Sequence, residues 1–68
     1  MLKDRRVLLE HEIDMLTKEC GADYLRMISN PNWVTDVIKS HYDAKLSKLT
    51  NMKTQLTVIN DMIAKGEE

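Results

Sequence analysis

The sequence contains very few of the residues that build β-sheets and tight turns. Its 68 residues include no Phe, one Trp, two Tyr, one Pro and two Gly. A β-domain needs frequent turns and runs of aromatic or β-branched residues, so this shortage argues against one. Leu, Met, Lys and Glu, which are good helix formers, are abundant instead. The composition predicts an all-α fold in one helical domain, residues 1–68.

Side chains suited to catalysis or metal binding are equally scarce. Cys20 is the single cysteine, which excludes an intrachain disulfide. Cys20, His11 and His41 are too few and wrongly spaced for a closed zinc site. Glu19 and Asp23 surround Cys20 with negative charge, unlike a reactive thiolate, so we expect a small buried hydrophobic residue there. We expect no metal, no cofactor and no enzymatic activity.

The charge is nearly balanced, with a formal net charge of −1. It provides no general attraction to nucleic acid or anionic lipid. No apolar run approaches the roughly 20 residues of a membrane helix, and acidic residues interrupt the segment after Met1–Arg6 where a signal peptide would be apolar. We therefore expect a cytoplasmic chain with no membrane partner.

The chain divides at Asn30-Pro31. Asn30 is a good N-cap and Pro31 suits a first helical turn, so one long helix is predicted over about 31–65, ended by Gly66. The N-terminal helix is predicted over about 2–20. At Gly21 the helix either stops, with a short helix at 22–28, or continues at a cost of about 1 kcal/mol. We favour the break.

Both helices carry a heptad-like apolar seam. In the long helix, five residues are spaced 3, 4, 3 and 4 apart: Leu49, Met52, Leu56, Ile59 and Ile63. The first helix has a matching set: Leu2, Leu9, Ile13, Leu16 and Cys20. Two seams joined by a tight connection predict an antiparallel helical hairpin with coiled-coil packing. Acids within residues 10–23 would then lie opposite lysines within residues 39–53, which favours this pairing.

Further apolar residues lie outside the seam, and a chain this short is marginally stable alone. We therefore predict self-association into a dimer or larger helical bundle. The predicted interface comprises Leu8, Met15, Leu49, Met52, Leu56, Ile59 and Ile63.

Trp33 is the most informative single residue, because it follows Pro31 at the apex of the hairpin. It either caps the core or projects as a binding anchor. We predict a partner-binding site formed by Trp33, Val34, Tyr24 and Leu25. The corresponding function is non-catalytic protein binding by an inhibitor, adaptor or assembly factor that occludes a partner surface. The small, simple chain suits a phage- or mobile-element-encoded protein.

Two other functions fit the pattern. A helical-hairpin dimer could bind nucleic acid through a lysine face, formed by Lys39, Lys45, Lys48 and Lys53. The acids balance these lysines, so this is the less favoured hypothesis. A purely structural oligomer subunit is the other alternative.

Overall fold

The structure is a computed structural model that describes residues 1–67. Helix α1 spans Leu2–Ser29, a 3₁₀ turn spans Pro31–Trp33, and helix α2 spans Asp36–Ala64. The two helices lie side by side as an antiparallel hairpin 51 Å long, and the described residues contain no strand. The predicted all-α hairpin is confirmed.

The seam between the helices is the core. Its buried members are Leu9, Leu49, Met52 and Ile59, and Leu2, Ile13, Leu16, Leu56 and Ile63 pack against them. Cys20 is buried as predicted, with 5% of its surface exposed. Among the described residues no side chain is completely enclosed, because two helices cover each other on one side only.

The predicted break at Gly21 is wrong. Helix α1 continues from Cys20 through Gly21 to Ser29, so there is no separate helix at 22–28. Residues beyond Gly21 contact α2: the Asp23 carboxylate binds Lys45, and the Tyr24 ring lies 6.5 Å from the Tyr42 ring. These contacts outweigh the helical penalty of about 1 kcal/mol for glycine.

The predicted start of the long helix at Pro31 is also wrong. Residues 31–33 form the 3₁₀ turn, and Val34 and Thr35 are extended before α2 begins at Asp36. A single connecting residue at Asn30 would leave too little chain to place a second helix 8–10 Å from the first. Asn30 instead closes α1 by donating from its backbone and side-chain nitrogens to the Arg26 carbonyl. Thr35 caps α2, its hydroxyl oxygen accepting from the Ile38 N–H at 3.3 Å.

The C-terminal stop at Gly66 is confirmed. Gly66 has a φ of 78°, in the left-handed region that glycine adopts without strain. Its N–H donates to the Ile63 carbonyl, and the Glu67 N–H donates to the Met62 carbonyl, both at 3.0 Å. This pair of bonds is a Schellman motif, which satisfies the last free carbonyls of α2.

Candidate protein-binding surfaces

One lysine joins the two helices electrostatically. The Lys45 ammonium lies 2.7 Å from a Glu19 carboxylate oxygen and 2.7 Å from one of Asp23. Hydrogen bonds to Asp23 and then Glu19 raise the pKa of Lys45, against the opposing effect of desolvation. The predicted meeting of an acidic and a basic stretch is confirmed at these three residues.

The four lysines of the nucleic-acid hypothesis do not converge on one face. Lys45 is held by two carboxylates, and Lys48 lines a groove together with Glu12 and Glu19. Lys53 lies five residues after Lys48, about 140° further around the helix. The geometry therefore provides no continuous basic strip along α2.

The apex of the hairpin presents Trp33 on its surface. Trp33 ends the 3₁₀ turn and is 41% exposed. The Arg26 guanidinium lies 5.7 Å from the centre of a Trp33 ring, within the range of a cation–π contact. The indole is thus braced from α1 while much of its surface stays open to solvent.

Trp33 borders an interhelical groove of about 240 Å³ at this end, which we call the tip groove. Its lining residues are Asp23, Met27, Trp33, Val37, Ile38, His41, Tyr42 and Lys45. Asp23 and Lys45 neutralise each other across it. The rest of the groove is mostly apolar, with the His41 imidazole in its lining and the Arg26 guanidinium beside Trp33.

The other predicted partner-binding residues are distributed around this end. Val34 is half-buried in the connection, and Tyr24 and Leu25 are exposed on α1. Tyr24 packs its ring near Tyr42, whereas Leu25 is more than half exposed. Only Trp33 of the four lines the tip groove.

Sequence reasoning missed Met27 and Val37 as members of this site. Val37 and His41 are one helical turn apart on α2, a spacing that places them on the same face. That spacing could have indicated a site beside Trp33. The contribution of Met27 depends on α1 continuing through Gly21, which the predicted break excluded.

The predicted oligomer interface divides into two groups. Leu49, Met52 and Ile59 are buried against α1 of the same chain, and Leu56 and Ile63 pack beside them. The hairpin itself covers this seam, and a role of these five residues in an oligomer interface stays a prediction. Leu8 and Met15 remain exposed, at 64% and 55%.

Three shallow grooves run end to end along one face of the hairpin. The first and second share Arg5 and Gln55, and the second and third share Glu12. They form one channel, here called the trough, from the open end of the hairpin to Lys48. Its walls carry Arg5, Leu8, Glu12 and Glu19 on α1, and Lys48, Gln55, Val58 and Met62 on α2.

The described residues contain no group of side chains suited to holding a metal ion. Within residues 1–67, no three His, Cys, Asp or Glu side chains are grouped so that they could hold a metal ion. In the same part of the chain, neither helix has an apolar stretch long enough to cross a membrane.

No protein-family model matches this chain, nor does any curated protein or solved structure.

Proposed function

We propose that this chain is a non-catalytic protein-binding module that occludes a partner surface through its tip. The observation that carries the proposal is the placement of Trp33, which is exposed, braced by Arg26 and set at the edge of an apolar groove. Tryptophan and arginine are the residue types most enriched among the side chains that dominate binding energy. An inhibitor, an adaptor and an assembly factor would all act through such a contact.

The tip is also ordered before binding. The 3₁₀ turn, the Asn30 bonds to Arg26 and the Thr35 cap fix the backbone on both sides of Trp33. A side chain held in place loses less conformational entropy when a partner arrives, and more of its contact energy then contributes to affinity. This favours Trp33 as an anchor over Trp33 as a core cap.

The charges around the tip indicate the chemistry of the partner. Asp23 is paired with Lys45, whereas Arg26 and His41, both near the groove, form no ion pair within residues 1–67. A complementary surface would present an apolar side chain to the groove and a carboxylate beside it. We place this encounter in the cytoplasm, where Cys20 would remain reduced.

A capture experiment with matched variants tests the role of the tip. The whole chain is used as bait in a lysate of the source organism, with and without nuclease. Val37→Asp places a charge in the tip groove and is expected to abolish capture. Val7→Asp is the control, because Val7 is equally exposed, at 63% against 65%, but lies near the opposite end of the hairpin.

The outcomes separate the candidate functions. Capture that survives nuclease, is lost in Val37→Asp and is retained in Val7→Asp supports the proposal. Capture that disappears with nuclease favours the nucleic-acid alternative. Equal capture by both variants contradicts a binding role for the tip.

A further inference from the structure

We propose that a second copy of this chain packs on the trough, about a two-fold axis parallel to the long axis of the hairpin. In that dimer each α1 lies over α2 of the other copy. Each residue lies at the same position along the long axis as the identical residue of the other copy. The result is a four-helix bundle in which neighbouring helices are antiparallel. This proposal does not rest on the role assigned to the tip groove, although the two lie on the same face of α2, since Val37 is 21 residues, or three heptads, before Val58.

The apolar residues on the two walls match under this symmetry. The hydrogen bond from the Arg6 guanidinium to the Asn60 side chain, at 3.4 Å, sets the register near the open end. Leu8 lies two residues after Arg6 and Val58 two before Asn60, so the two are at the same height. Both are more than half exposed in the hairpin. The two-fold axis brings Leu8 of each copy against Val58 of the other, which removes both from water.

The charges on the walls favour this axis over a two-fold axis that runs across the hairpin. The α1 wall carries Arg5 near the open end and then Glu12 and Glu19, a net negative charge, whereas the α2 wall carries Lys48 and no acid. An axis parallel to the hairpin places the acidic wall of one copy on the basic wall of the other. A face-to-face dimer with the axis across the hairpin would instead stack α1 on α1, with glutamates opposing glutamates.

Met15 extends the same contact surface. It lies three residues after Glu12 and four before Glu19, so it shares their face of α1. Its side chain is 55% exposed, although the thioether is apolar. A covering helix would give Met15 the packing partner that the hairpin lacks.

The size of the trough sets the expected affinity. With Leu2, which lines its first groove, the α1 wall runs over 18 residues to Glu19, or about 27 Å of helix, and the hairpin is 16 Å wide. The footprint is therefore about 430 Å² per copy, or about 860 Å² in total, which is smaller than a standard specific interface and typical of weak, transient association. We expect a dimer that dissociates in the micromolar range.

Sedimentation of matched variants tests this dimer. The mass of the full chain should rise from 7.9 kDa towards twice that value between about 1 and 100 µM. Leu8→Glu should weaken association at least tenfold, and Val7→Glu should leave it unchanged, because Val7 is equally exposed but about 100° away around α1. Leu8→Glu combined with Val58→Lys should restore association by pairing the new charges between copies.

Circular dichroism checks that each variant remains helical. A chain that stays monomeric up to about 100 µM would overturn the proposal. An assembly larger than a dimer would also overturn it. The same holds if Val7→Glu and Leu8→Glu weaken association equally, or if the double variant does not regain association.

Discussion

The Lys45 ammonium lies 2.7 Å from the Asp23 carboxylate and joins the two helices about a third of the way along α2. Because the same ammonium also contacts Glu19, one cation connects two successive turns of α1 to α2. The two contacts require helical geometry on both sides of Gly21. The ion pair therefore fixes the register of the hairpin and the continuity of α1 together.

Replacing Lys45 with Met keeps most of the stem and removes the charge. We expect a lower melting temperature than that of Lys48→Met, since Lys48 forms no ion pair within residues 1–67. Thermal denaturation of both variants at pH 7 makes the comparison. Equal losses would mean that the double ion pair does not stabilise the fold.

The raised pKa of Lys45 also predicts a pH dependence. The folded state holds this proton more tightly than the unfolded state, whose lysine pKa is about 10.5. The stabilising contribution of the Lys45 ion pairs is complete below the unfolded-state pKa. It is lost as the pH rises from there through the folded-state pKa. Urea titrations at pH 10 to 12 should show wild-type stability falling more steeply than that of Lys45→Met; parallel curves would contradict the assignment.

The cap of α2 provides a second prediction. Thr35→Ala removes the acceptor for the Ile38 N–H and should lower the free energy of unfolding by about 1 kcal/mol. Thr35→Asp should retain most of the stability, because an aspartate oxygen can also accept from the Ile38 N–H. The control is Thr50→Ala, because that hydroxyl only donates to the Leu46 carbonyl inside the helix, and alanine there should be neutral or slightly stabilising. Chemical denaturation measures all three, and a loss in Thr50→Ala equal to that in Thr35→Ala would rule out a capping effect.

Gly21 offers a stabilising substitution. It lies inside α1, and a Cβ built on it meets nothing within 4 Å. Gly21→Ala should raise the free energy of unfolding by about 0.5–1 kcal/mol, because alanine loses less backbone entropy in a helix. Thermal melts should show an increase of several degrees. An unchanged or lower melting temperature would show that α1 is not a continuous helix there.

The fold class and the core were accessible from the sequence because they depend on local spacing. The 3–4 spacing from Leu49 to Ile63 identifies the buried face without knowledge of the partner helix. Gly66 is recognisable as a helix stop because few other residues adopt its backbone conformation.

The remaining features depend on contacts between distant residues. Whether α1 crosses Gly21 is a balance between a local penalty and the later contacts of Asp23 and Tyr24 with α2. Asn30 and Thr35 are both good caps, and the space needed for the chain reversal decides between them. The tip groove and the trough exist only once the register of the two helices is set, so a linear pattern does not display them.

The most direct test of the tip as a recognition site is one variant, Trp33→Ala, studied with the captured partner. Its melting temperature should fall only slightly, since the lost cation–π contact at this exposed site is worth about 0.5–1 kcal/mol. Partner affinity, measured by titration calorimetry well below the melting temperature, should fall at least about 30-fold, as expected for an anchor residue. The opposite result, a variant that melts much earlier but binds normally while folded, would make Trp33 a core cap and contradict the proposed function.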